Sequence, residues 1–216
     1  VNTTVKHYFE NCADRFDDYY KDSKQRGWFQ ELVHETFRQP GLTKRFEAVV
    51  TALGDIKGKQ ILDVGCGSGI YSIYLAKQGA NVEGIDFSEN MITKANLNAE
   101  REQTNVSFSV ANFMQYSKKQ YDSIILVGVF DYIKKTQQFI FLERATDQAT
   151  NIIATFPKKY AFQTLIRTLW LKKQHCPVYF YTKKQINNLA KQLKFEATFF
   201  DCGPIWTVKL QKRSRN

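Results

Sequence analysis

Histidine, cysteine and proline are scarce in this chain: three histidines, four cysteines and four prolines among 216 residues. Cys12, Cys66, Cys176 and Cys202 form no C-x-x-C pair and stand at no Cys/His metal spacing, which excludes zinc ribbons and dithiol redox motifs. They read as reduced thiols, and no metal is expected. Apolar runs of the roughly 18 residues that span a membrane are absent too. The opening Val1-Asn2-Thr3-Thr4 lacks the basic and apolar regions of a secretory signal. A soluble, cytoplasmic protein is therefore expected. Acidic residues are scarce in the last third. Residues 151–216 hold 13 Lys and Arg against 2 Asp and Glu, while residues 1–150 hold 18 against 19. The net charge of +10 thus belongs to the last third, which can meet an anionic small molecule, an anionic membrane surface or nucleic acid. Solvation alone is the plainer reading of the same lysines.

What is abundant points to a packed domain. The hydrophobic fraction is 43%, with 17 phenylalanines and 11 tyrosines, and the length suits one α/β domain. Its centre is Ile61-Leu62-Asp63-Val64-Gly65-Cys66-Gly67-Ser68-Gly69. An apolar run holding one acid meets three glycines at alternate positions, and a helical pattern starts at Ile70. This predicts a buried strand, a tight turn that a ligand can approach closely, and a helix N-terminus with unpaired N–H groups. The dinucleotide pattern G-x-G-x-x-G would need a glycine where Ile70 stands. A second acid, Asp86, lies 23 residues after Asp63 and closes the strand Val82–Asp86. It is expected to emerge beside the glycine turn, where a carboxylate can accept both hydroxyls of a ribose. Ser88 is then free to cap the following helix.

The string from Asp63 to Gly69 resembles motif I of the class I S-adenosylmethionine-dependent methyltransferases. Asp86-Phe87-Ser88 with Met91 is similar to the segment that follows it. The resemblance implies that Gly65, Cys66, Gly67 and Gly69 line the methionyl part of the cofactor, S-adenosyl-L-methionine, and that Asp63 helps to hold its amino group. It also implies that Asp86 binds the ribose and that Phe87 and Met91 flank the adenine. Asn112, followed by Phe113, stands where the family usually has an acid for the adenine amino group; an acceptor is kept and a charge is lost. Val127 and Gly128 match the end of the fourth strand, the floor of the cofactor and acceptor site. Tyr132 stands where many relatives have histidine. The aromatic entry from Phe16 to Tyr20 resembles a lid over the cofactor and puts Tyr20 among the cofactor contacts. Methyl transfer to an oxygen or nitrogen of a small acceptor, giving S-adenosyl-L-homocysteine, is the implied reaction. As general base the chain offers His175 first and His34 second, with Tyr132 a weaker third.

The coarse pattern agrees with such a fold. Leu42, Phe46, Val49, Val50 and Leu53 share one helical face, after a break at Pro40-Gly41 and before a stop at Gly54. Helices are predicted from Ile70 to a stop at Gly79, through Met91, Ala95 and Leu97 to about Glu102, over Gln137–Asp147, and from the capping box Thr182–Gln185 to Leu193. Strands are predicted at Val106–Val110, Tyr121–Val127, Asn151–Phe156, Phe195–Phe200 and Ile205–Leu210. The expectation is a Rossmann-like, seven-stranded, mostly parallel α/β sheet with helices on both faces and a C-terminal antiparallel hairpin. Residues 1–41 read as a helical lid, 42–210 as the methyltransferase domain and 211–216 as a basic tail. Within the domain, 158–182 reads as a basic amphipathic insertion. The order of these parts is loosely similar to magnesium-protoporphyrin and quinone- or lipid-type O-methyltransferases. Two other readings stay open. One is nucleic-acid methylation, although the Pro-Pro-aromatic motif of enzymes acting on exocyclic base amines is absent; the other is a non-catalytic cofactor-binding module.

Overall fold

A computed structural model describes residues 40–116, 119–160 and 177–212, with side chains from Lys44 onward. Tyr20 and His34, in the expected lid, and His175, with most of the basic insertion, lie outside the described residues. Seven strands form one sheet in the order β3-β2-β1-β4-β5-β7-β6. They are β1 (Gln60–Val64), β2 (Asn81–Asp86), β3 (Ser107–Val110), β4 (Ser123–Leu126), β5 (Asn151–Pro157), β6 (Phe195–Asp201) and β7 (Ile205–Lys212). The first five run parallel, and β7 alone runs against its neighbours β5 and β6. The hairpin thus folds back so that its second strand, not its first, joins the parallel set. β7 reaches Lys212, so the expected tail begins later than residue 211.

Alternate residues of the central strands feed two cores, as they must in a sheet covered on both faces. Leu62, Val64, Ile124, Leu126, Ile152 and Ala154 face one side with Phe130 and Phe156. That side is covered by α4 (Gln138–Thr146) and α5 (Lys183–Gln192), through Leu142, Ala145, Ile186 and Ala190. Ile61, Ile125 and Ile153 face the other, packed with Val49, Ala52 and Leu53 of α1 (Pro40–Leu53) and Leu75 of α2 (Ile70–Lys77). Phe46 of α1 stacks on Tyr71 at 5.1 Å and meets Tyr74 edge-on at 4.8 Å.

Local signals fixed most element ends. Gly54 and Gly79 take positive φ after α1 and α2. Thr182 and Gln185 close a reciprocal capping box on α5, satisfying two otherwise unpaired N–H groups. Other expectations need correction. Pro40-Gly41 opens α1 rather than breaking the chain before it. This agrees with the tolerance of a helix's first turn for proline, whose missing N–H would be unpaired there anyway. The helix through Met91, Ala95 and Leu97 is α3 (Glu89–Arg101), one residue shorter than expected, with Asn98 buried and Leu97 47% exposed. A 3-10 turn, Lys135–Gln137, precedes α4. β4 is shorter than its apolar run, and Tyr121 makes only an isolated bridge to Ala149.

Phe156 is fully buried, 4.6 Å from the ring of Phe130 and 5.0 Å from that of Tyr181. Phe156→Ala is expected to cost about 3–5 kcal/mol, read as a lowered urea midpoint with an unchanged slope.

Candidate functional site

The carboxyl ends of β1, β2 and β4 meet at the glycine turn. Gly65 and Cys66 donate their N–H groups to the carbonyl of Ile85, at 2.7 and 3.1 Å, and so bind the turn to β2. Gly65, Gly67 and Gly69 all have positive φ. At Gly65 the space is closed, because an added Cβ would lie 2.9 Å from Val129 Cγ2 of the loop after β4. At Gly67 an added Cβ would meet nothing within 4 Å, so the turn is open on that side. Gly69 is the N-cap of α2 and supplies no side-chain cap, leaving first-turn N–H groups at the same edge.

Two buried carboxylates flank this opening. Asp86, 8% exposed, accepts from Gly67 N–H at 3.1 Å and from Ser88 N–H at 2.9 Å. Burial pushes its pKa up, against the pull of those backbone bonds. Asp63, 2% exposed, accepts from the Ser72 hydroxyl at 2.6 Å. Desolvation pushes its pKa up to about 7; Ser72 opposes the rise, and the nearby Asp86 adds to it. Cys66 is half-buried, and burial first, then Asp63 and Asp86, push its thiol well above the usual range. The carboxylates sit where a ligand's hydroxyl or ammonium donors would offset their desolvation.

Of the residues named from sequence, the structure brings Asp63, Gly65, Cys66, Gly67, Gly69 and Asp86 into one locus. Phe87 is half-buried next to it. Met91 is buried, and its N–H donates to the Ser88 hydroxyl at 3.3 Å. Asn112 and Phe113 follow β3, which is hydrogen-bonded to β2 through Asp86 and Val110. The Asn112 side-chain oxygen accepts from Met114 N–H at 3.1 Å, and Phe113 is buried. Val127 and Gly128 close β4, and Tyr132 lies half-buried in the loop beyond. A cavity of about 250 Å³ between the start of α4 and α5, lined by Gln138, Tyr181, Gln185 and Asn188 among others, is distinct from this locus.

Sequence reasoning missed several supports. Asn98 Nδ2 donates to the carbonyl of Ser68 at 2.9 Å, anchoring the turn to α3. Thr155 of β5 accepts from Gly128 N–H at 2.8 Å and fixes the end of β4. A buried amide on a helix and a threonine inside an apolar strand carry no local signal beyond being polar at an inward position. Ser72 falls on the first turn of α2, where its reach to Asp63 follows only from folding.

Residues 61–149 match a family model described as a methyltransferase domain. A ubiquinone biosynthesis O-methyltransferase of Coxiella burnetii (strain Dugway 5J108-111) is 37% identical over an alignment of 128 residues, with 55% of this chain and 55% of that protein covered. The enzyme of the same name from Rickettsia felis is 30% identical over an alignment of 132 residues, with 55% of this chain and 54% of that one covered. The chain thus spans about half the length of the curated relatives it matches. A crystal structure of magnesium protoporphyrin IX methyltransferase from Synechocystis PCC 6803 with bound SAH superposes with a TM-score of 0.76 at 19% identity, covering 99% of this chain and 100% of that one. Strand order, glycine turn and family match agree. Residues 61–149 thus match the methyltransferase-domain family, and the fold is the one the porphyrin methyltransferase has. The similarities run to ubiquinone-biosynthesis O-methyltransferases in sequence and to a porphyrin methyltransferase in fold.

The acid at the turn gives a pH signature to the ligand-free protein. Folded Asp63 holds a proton up to about pH 7, whereas in the unfolded chain it releases it near 3.8. Its contribution to stability is therefore full below the unfolded value and is lost as pH rises through about 7. Urea unfolding between pH 4 and 8 should show stability falling with pH, with a shallower fall in Asp63→Asn. An identical slope in the variant would contradict the assignment.

Proposed function

We propose that this chain transfers the methyl group of S-adenosylmethionine to an oxygen, or a nitrogen, of a small acceptor and leaves S-adenosylhomocysteine. The observation that carries this reading is the pair of buried carboxylates on either side of a glycine turn that is open at Gly67. The donor set fits the cofactor. The Asp86 carboxylate keeps acceptor capacity beyond its bonds to backbone N–H groups, those of Gly67 and Ser88 among them, for a ribose hydroxyl. Ionised Asp63 suits an ammonium, and the open face at Gly67 lets backbone come close to the methionyl chain. Phe87 and Met91 would border the adenine, with Asn112 and Phe113 at its edge. The half-buried Cys66 would line the turn.

When bound, the cofactor supplies a methyl group already activated on a sulfonium. The work left to the chain is alignment and exclusion of water. Val127 and Gly128, the latter held by Thr155, would form the floor on which the acceptor oxygen lines up. Val129, wedged against Gly65, would keep that floor and the cofactor turn at a fixed distance. A base for the acceptor proton is proposed at His175, then His34, then Tyr132. Tyr20 and the segment around it would close over the cofactor.

The names of the relatives favour an apolar acceptor methylated on oxygen rather than a nucleic acid. The carboxyl end of β5 supports the same choice. There the Lys158 ammonium lies 3.6 Å from the Trp206 ring centre and 2.5 Å from an Asp201 carboxylate oxygen. Lys183 lies 4.4 Å from the same ring. A basic edge with an aromatic floor suits a flat, anionic or electron-rich acceptor, and the basic insertion that follows could rest on an anionic membrane surface. Among the described residues no helix is long and apolar enough to cross a membrane.

Incubation with tritium-labelled S-adenosylmethionine should put label into organic-extractable quinol or porphyrin acceptors and not into RNA; label in RNA alone would reverse the acceptor reading. Asp86→Ala is expected to weaken cofactor binding at least about tenfold, or about 1.4 kcal/mol, and Gly67→Val to abolish it, both read by calorimetry. Lys183→Glu should raise the acceptor KM while sparing cofactor affinity. An equal loss of both would assign Lys183 to the fold.

A further inference from the structure

The turn after β3 is shaped by its own bonds and fastened by others. Asn112 accepts from Met114 N–H through its side chain, and through its carbonyl from Gln115 and Tyr116 N–H at 2.8 and 2.9 Å. These contacts reverse the chain but leave the reversal unattached to the sheet. Ala111 N–H supplies one attachment, to the carbonyl of Asp86 at 2.8 Å. The Tyr116 hydroxyl supplies another, donating to Glu83 of β2 at 3.2 Å.

The remaining fastening comes from across the sheet. Arg144, on the last turn of α4, donates Nε–H to the carbonyl of Phe113 at 2.6 Å and Nη2–H to the carbonyl of Tyr116. Its guanidinium carbon stands 5.6 Å from the centre of the Phe113 ring. That ring packs at 5.0 Å on Phe141, three residues earlier on the same helix. One planar fork therefore grips both ends of a four-residue segment and covers the aromatic ring at its first residue. Lysine, a single point charge on a flexible stem, cannot do this.

We propose that Arg144 is a positioning residue for recognition of the adenine: by holding the Phe113 and Tyr116 carbonyls from α4, it fixes where the Asn112 amide stands relative to Asp86. This rests on the cofactor reading above. Asn112 stands where the methyltransferases this chain resembles usually have an acid, so under the cofactor reading its one side-chain oxygen serves both the turn and the base. Its first lone pair goes to Met114 N–H, and only the second is left for a 6-amino group. A neutral acceptor with one usable lone pair tolerates less displacement than a carboxylate with several. The discrimination between a 6-amino and a 6-oxo purine then depends on the fork at Arg144.

The test compares S-adenosylhomocysteine with S-inosylhomocysteine, which carries a 6-oxo group, by calorimetry on the wild type, Arg144→Lys and Arg144→Gln. The wild type is expected to prefer the amino compound. Both variants should lose that preference by about fivefold or more, since a misplaced hydrogen-bond partner costs selectivity before it costs general binding. KM for S-adenosylmethionine should rise with kcat nearly unchanged. Should Arg144→Gln fail to fold, Arg144→Lys, which keeps charge and stem, carries the test. Equal weakening of both ligands, or an unchanged ratio in variants with a lowered urea midpoint, would make Arg144 a structural residue and overturn the proposal. A wild type that binds neither compound would overturn the cofactor reading, and this inference with it.

Discussion

The hydrogen bonds that Asp86 accepts from Gly67 and Ser88 join the turn after β1 to the turn after β2. Without them the glycine turn would have no side-chain tie to the second strand, and the N-terminus of α3 would lose a support. A buried carboxylate is costly unless it is hydrogen-bonded. Here backbone N–H groups, those of Gly67 and Ser88 among them, supply the bonds, and the carboxylate stays at the opening beside Gly67. Asp63, one strand over, has Ser72 as its hydrogen-bond partner among the described residues, and burial raises its pKa. Burial thus pushes the pKa of both acids up, Asp63 to about 7, and perturbed carboxylates of this kind gather at sites that take a polar ligand.

The sheet places this pair where a parallel fold leaves its crevice, at the carboxyl ends on either side of the first strand, between β2 and β4. The parallel half, with α2 and α3, carries the carboxylates and the glycine turn. The half that includes the antiparallel β7, with α1, α4 and α5, carries the aromatic and basic edge at Lys158, Lys183 and Trp206. Val129 and Thr155 join the halves, one wedged against Gly65 and the other bonded to Gly128. A donor on one half and an acceptor on the other would meet over the end of β4.

Features decided within a few residues were legible in the sequence. Three alternating glycines after an acid, an acid at a strand end before a serine cap, and the Thr182–Gln185 box each act locally, and each has the structure expected of it. Features decided by the approach of distant segments were not. Asn98 reaches the Ser68 carbonyl only because α3 packs beside α2, and Leu97, apolar and next to it on the same helix, is 47% exposed. Arg144 looks like any basic residue at a helix C-terminus until the turn after β3 folds against it. The insertion of β7 between β5 and β6 likewise depends on long-range pairing, which the alternation of each strand does not encode.

The central claim is that the Asp63–Gly67–Asp86 locus takes an S-adenosyl cofactor. Calorimetric titration of the wild-type protein with S-adenosylmethionine and S-adenosylhomocysteine, with NADH as control, tests it most directly. The account predicts saturable binding of the first two at one site per chain and none of NADH. Binding of NADH alone, or of none of the three, would contradict it.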